Sequence, residues 1–74
     1  SDKASSAEVL YEFFETNNLT VSKQTAQCLY SGIYDDSLKF STHRCNADTF
    51  KIANELVILG VDPSYVADNL NQRD

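Results

Sequence analysis

A chain of 74 residues forms one small domain at most and buries only about 60% of the surface it exposes when unfolded. Its 42% apolar content, with four Phe and four Tyr, suffices for a packed core and is too high for a disordered tail. The net charge of −5, with six scattered basic residues, argues against a protein whose own field holds nucleic-acid phosphates. Metal ions that cancel carboxylate charge still allow an acidic chain to act on phosphorylated substrates.

The pattern turns helical from Ala4. Ser5 and Ser6 supply N-cap oxygens, Glu8 sits in the first turn, and Ala7, Leu10, Tyr11 and Phe14 recur at helical spacing, with Val9 and Phe13 widening the stripe. This first helix is predicted to end near Thr16, Asn17 and Asn18, residue types that favour caps and turns. Ser22 caps a second helix with Ala26, Leu29, Tyr30 and Ile33 on one side and Cys28 also on the buried side. Gly32 lies inside it at a cost of about 1 kcal/mol relative to Ala, which either a close backbone approach or fraying of the helix accounts for.

The periodicity stops after Asp35-Asp36-Ser37, and residues 38–45 read as a loop or brief extended segment in which Phe40 is the buried anchor. Asn46 caps a third helix with Asp48 in its first turn, Phe50, Ala53, Leu56 and Val57 as core stripe, Ile52 and Leu59 joining it, and Gly60 as the C′ closure. Asp62-Pro63 opens a fourth helix whose face is traced by Tyr65, Val66, Asn69 and Leu70. The expectation is a single mainly α unit over residues 1–74, about four short helices with little or no sheet. The third helix is apolar around much of its girth, so a fragment of a larger domain is expected, self-associating through exposed apolar helix faces. No apolar run of membrane-spanning length, signal peptide or lipidation signature is present, and two cysteines make no disulfide framework. A soluble, cytoplasmic protein with reduced thiols is the expectation.

The chemistry-bearing residues gather after the second helix. Asp35 and Asp36 offer hard oxygen ligands to Mg²⁺ or Mn²⁺, although adjacent positions rarely face one ion and solvated surface charge explains such a pair more often. His43 lies in the same loop and is placed for metal or acid–base work, against the commoner role of an exposed loop histidine. Arg44 has the planar fork that suits phosphoryl oxygens. Neither Cys28 nor Cys45 has a base beside it in the sequence, and no glycine-rich phosphate loop, zinc spacing or nucleophile elbow occurs.

Taken whole, CLYSGIYDDSLKFSTHRCNADTF resembles the fourth motif region of the DHH phosphoesterases, where a helix ending LYTGI runs into an Asp-Thr/Ser-Gly-x-Phe turn. Upstream, ASSAEVLYEFF is similar to the family's ASSTAEIVYEL helix, and downstream TFKIANELVILGVDPSYVADNL is similar to its TLRIAAELLEAGADPSEIYEKL helices. The spacing from Asp36 to Phe50 is most like the oligoribonuclease and phosphoadenosine-phosphate phosphatase branch of this RecJ-like superfamily, with the cyclic dinucleotide phosphodiesterases a close second.

The resemblance implies the C-terminal helical part of a larger α/β DHH domain, in a metal-dependent phosphoesterase of nucleotides or short oligonucleotides. It implies divalent cations, usually manganese, held in the intact parent by Asp and His residues and assisting attack of water at phosphorus by a two-metal mechanism. The motif's metal-binding Asp falls on Asp36 and leaves Asp35 as a solvated neighbour, while His43 and Arg44 are weaker candidates for lining the substrate cleft. Two departures stand out. Leu38 occupies the position of the turn glycine, and the DxD motif, the lone Asp motif, the DHH triplet and the substrate-gripping second domain are absent from this sequence. Alone, the chain is expected to be inactive and to hold no productive metal pair. The alternative is a free-standing helical module that binds a partner helix through its apolar faces.

Overall fold

The computed structural model describes residues 6–37, 40 and 45–71. Four helices follow in order, α1 (Ser6–Thr16), α2 (Lys23–Asp36), α3 (Ala47–Ile58) and α4 (Pro63–Asn71), and there is no strand among the described residues. The molecule is mainly α, as its periodicity requires. The expected start at Ala4 and the Ser5 cap lie outside the described residues.

Each helix end has a local chemical cause. α1 stops where Asn18 takes a φ of 56°, with the Asn18 N–H donating to the Glu15 carbonyl at 3.1 Å and Leu19 N–H to the Phe14 carbonyl at 2.9 Å. That pair of bonds is the Schellman closure, and Asn is the side chain that best tolerates a left-handed backbone after Gly. α2 begins at Ser22, whose hydroxyl accepts the Thr25 N–H at 3.1 Å. α3 opens on a capping box in which Asn46 Oδ1 accepts the Thr49 N–H at 3.0 Å and Thr49 Oγ1 accepts the Asn46 N–H at 3.2 Å. It closes with a second Schellman pair at Gly60, where φ is 115°, Gly60 N–H reaches the Val57 carbonyl at 2.9 Å and Val61 N–H the Leu56 carbonyl at 3.2 Å. α4 starts with Asp62 Oδ1 accepting the Ser64 N–H at 2.9 Å, with Pro63 in the first turn, where it forfeits no helical bond.

α2 is the central element, packed against α1, α3 and α4, while α1 also meets α3. Ala26, Leu29, Tyr30 and Ile33 of α2, Tyr11 of α1, Ile52, Ala53 and Leu56 of α3, with Val61 and Val66, form the buried core. Gly32 is fully helical and not frayed. A Cβ built there would sit 3.3 Å from the Ala7 Cβ, so glycine admits the close approach of α1 to α2 that the sequence left as one of two explanations.

Several expected core positions lie outside it. Leu10, Phe50, Val57, Leu59 and Tyr65 are exposed, Phe50 to 53%, and so are Val9 and Phe13. A helix packed on one side buries an arc centred on its contacts, and these residues fall at the edge of that arc or beyond it. Asn69 is exposed too, its amide donating to the Tyr65 carbonyl at 2.8 Å. Cys28 is another correction: it is exposed, because two steps on from buried Ala26 turn the helix by about 200°. Neither Cys28 nor Cys45 is disulfide-bonded.

Candidate functional site

Asp36 is the last residue of α2. Its side chain is exposed, as is that of Asp35, and consecutive helical positions point about 100° apart, so the two carboxylates do not face one point. Both stand at the negative pole of the helix dipole, and the last turn of α2 contains no basic residue. Negative potential therefore concentrates at this helix end, which favours a cation there.

The turn that follows is tightly held. Ser37 is fully buried; its N–H donates to the Ile33 carbonyl at 3.0 Å, and its hydroxyl donates to the Tyr34 carbonyl at 3.4 Å and accepts the Phe40 N–H at 3.0 Å. Phe40 carries a φ of 64°, a region that bulky L residues seldom occupy. Its ring is caught among Tyr30 at 5.7 Å, Tyr34 at 5.9 Å and Phe50 at 5.7 Å between centroids, the tilted and edge-on arrangements that aromatic rings prefer. Phe40 is thus the anchor expected of it, and Phe50 covers it from α3 despite its own exposure.

Glu8 of α1 is fully buried. Both of its carboxylate oxygens lie within reach of the Thr49 hydroxyl, at 3.2 and 3.3 Å. Thr49 is itself buried, so the first turn of α3 and the first turn of α1 are joined through a polar contact sealed from water. Sequence reasoning read Glu8 only as a first-turn acid and did not expect Glu8, Ser37 or Thr49 to be buried. The signal existed: Glu8 precedes Tyr11 by three residues and shares its face, and Asn46-x-x-Thr49 has capping-box spacing.

A third polar contact lies further along α1 and α3. Tyr11 donates its hydroxyl to Glu55 Oε1 at 2.8 Å, and Lys51 Nζ lies 3.8 Å from Glu55 Oε2. Burial, together with the adjoining Glu55 carboxylate, raises the Tyr11 phenol above its ordinary range. Glu15 is also raised, first by desolvation and then by its hydrogen bond to Glu55 and the repulsion of that charge, with Lys51 opposing.

His43 and Arg44, the weaker candidates for substrate contact, lie outside the described residues, as does Leu38. Among the described residues no three His, Cys, Asp or Glu side chains gather as a metal site requires. The described part of the chain thus offers two carboxylates that do not converge, both at a cation-favouring helix end, and a complete metal centre is not built from it alone. Among the described residues no helix is long and apolar enough to cross a membrane.

No family model matches the chain. Over 66 residues, 88% of its length, the chain is 39% identical to the "Probable bifunctional oligoribonuclease and PAP phosphatase NrnA" of Streptococcus mutans, and the matched part amounts to 21% of that protein. The chain resembles a segment of the DHH phosphoesterases of the oligoribonuclease and phosphoadenosine-phosphate phosphatase branch, and this relative bears the resemblance out along nearly the whole chain.

Proposed function

We propose that the chain is the helical C-terminal part of a DHH catalytic domain, within a larger cytoplasmic phosphoesterase that hydrolyses nucleotides or short oligonucleotides. The observation that carries this is the 39% identity, over 88% of the chain, to a relative named for both oligoribonuclease and PAP phosphatase activity. In the parent, Asp36 supplies one ligand to a divalent metal, Mn²⁺ by family likeness. Bound there, the metal supplies neutralisation of phosphate charge and activation of water. The chain's own contribution is to hold that carboxylate at a fixed helix end. Ser37 and Phe40 fasten the chain just beyond it, and His43 and Arg44 are the weaker candidates for substrate contact. By itself the 74-residue chain is inactive, because a single carboxylate does not assemble a productive site.

The test is Asp36→Asn in the parent, with Mn²⁺-dependent hydrolysis of a short oligoribonucleotide and of adenosine bisphosphate as readouts. Most of the activity is expected to disappear while the far-UV circular dichroism and the melting temperature stay close to wild type, since the side chain is exposed. Full activity in this variant removes Asp36 from the site. Replacing Asp35 by Asn is expected to leave the rate within about twofold, as for an exposed surface carboxylate.

A second reading is favoured by one observation: Val9, Leu10 and Phe13 form an exposed apolar strip on α1, and Val57 and Ile58 another on α3. Such strips suit a free-standing interaction module as well as a piece seated against the remainder of a domain. Under either reading the isolated chain is expected to self-associate, and a strictly monomeric sedimentation profile at high concentration counts against those faces as binding surfaces. The reading frame separates the two: a DHH triplet encoded upstream identifies the enzyme.

A further inference from the structure

We propose that Phe50 is a stacking platform for a nucleobase of the substrate, presented beside the end of α2 that carries Asp36. That the occupant is a nucleobase rests on the phosphoesterase reading and extends it to how substrate is gripped. Phe50 lies in α3, and 53% of the residue is open to solvent. Its ring is nonetheless held: Phe40 lies against it at 5.7 Å between centroids and 31° between planes. Phe40 is itself fixed by Tyr30 at 5.7 Å and Tyr34 at 5.9 Å, and its N–H donates to the Ser37 hydroxyl at 3.0 Å. Tyr34 precedes Asp36 by two residues and Ser37 follows it directly, so these rings gather beside the same end of α2 as the carboxylate.

An open, immobilised ring is what base stacking needs: a flat π-face whose orientation costs little entropy to fix on binding. Folding alone does not call for it, because an apolar side chain left over half exposed gains little of its burial energy. Charge favours the same occupant. The last turn of α2 carries Asp35 and Asp36 and no basic residue, so it offers the substrate's phosphates no cationic grip of its own. Stacking on a ring is uncharged and holds a nucleotide without one. Phe13 marks the contrast. It is exposed to a similar extent, 54%, but its ring lies beside Phe14. It also stands two positions from Tyr11, which reaches Glu55 of α3, and is therefore turned about 200° round α1, away from α3.

The experiment compares Phe50→Leu, Phe50→Trp and Phe13→Leu in the parent, with a diribonucleotide and its two singly abasic analogues as substrates at saturating Mn²⁺. Phe50→Leu keeps apolar bulk and removes the π-face. It is expected to raise KM for the diribonucleotide about tenfold with kcat within about twofold, at an unchanged melting temperature. Phe50→Trp restores KM, and Phe13→Leu leaves it at the wild-type value. Removing one of the two bases is expected to cost the wild type about tenfold in kcat/KM and Phe50→Leu less than about twofold, the coupling of two partners in one contact. A base-removal penalty as large in Phe50→Leu as in the wild type overturns the platform, and a lowered melting temperature beside it assigns the ring to packing within the domain. In the 74-residue chain, adenosine is titrated while the ring protons of Phe50 and Phe13 are followed by NMR, and upfield shifts are expected at Phe50 alone. Equal shifts at the two rings, or none, overturn the platform whatever the parent hydrolyses. A wild-type parent that hydrolyses no phosphoester, while adenosine shifts Phe50 selectively, overturns the phosphoesterase reading and upholds the platform.

Discussion

Phe40 shows how much a single position can hold in tension. Its left-handed backbone, φ 64°, costs an L residue roughly 1–2 kcal/mol, and this is offset by the Ser37 hydroxyl and three neighbouring rings. Two substitutions separate these contributions. Phe40→Ala loses the ring but keeps the strain, and is expected to destabilise the chain by about 2–3 kcal/mol, less than a fully buried Phe because the ring is half-buried. Phe40→Gly loses the ring and the strain together, so it is expected to be about 1 kcal/mol more stable than the Ala variant, the reverse of the usual order. Urea denaturation midpoints decide between them, and equal midpoints contradict a strained Phe40. The sequence marked Phe40 as an anchor because an aromatic residue among polar ones in a short loop must bury its ring. The strain was illegible, since nothing about a Phe announces positive φ.

At the scale of elements, the caps were the most legible part. Ser22, Asn46, Gly60 and Asp62-Pro63 each act where their residue type demands, because capping is a local bond between a side chain and a backbone group a few residues away. The buried faces were read less well, because amphipathic spacing says which residues share a side but not how wide an arc the neighbours cover; hence exposed Phe50, Val57 and Cys28. The α1–α2 contact provides a clean test. Gly32→Ala gains about 1 kcal/mol of helix propensity, yet its new methyl would lie 3.3 Å from the Ala7 Cβ, and both atoms ride on helical backbones that yield only together. The expected outcome is a net loss of stability in thermal melts, and Ala7→Gly in the same chain is expected to recover part of it. A Gly32→Ala chain more stable than wild type contradicts that close approach.

For the molecule as a whole, the polar seam between α1 and α3 predicts how stability responds to pH. Glu15 has its carboxyl raised above the ordinary Glu value of 4.5 by desolvation and by Glu55. A group raised on folding stabilises fully below its unfolded value, and the contribution is lost as pH rises through the folded one. The groups facing it are Tyr11 and Glu12 on its own helix with Glu55 and Lys51 across the seam. Resistance to urea is therefore expected to decline as pH climbs from the ordinary carboxylate range toward neutrality, and Glu15→Gln is expected to flatten that decline. A slope unchanged in Glu15→Gln assigns it instead to the overall negative charge. Because Glu15 is exposed, solvent screening keeps the effect small. This seam was not visible in the sequence, whose periodicity places Tyr11, Glu15 and Glu55 on their helices but cannot bring two helices separated by α2 together. The same holds for the candidate site: the likeness around Asp36 was readable, whereas the rings that gather on Phe40 from two helices were not.

The two bonds of that seam also bear on how the molecule assembles in time. Thr49 to Glu8 spans 41 residues and Tyr11 to Glu55 spans 44, so each closes a long loop, an entropic cost that local contacts along α2 and its neighbours do not carry. A folding nucleus built from adjacent helices would leave this seam to form late. Thr49→Val is then expected to accelerate unfolding while barely slowing folding in a stopped-flow chevron, and an equal shift in both limbs would place the seam in the transition state. The contact between α1 and α3 would thus be the last made and the first to break.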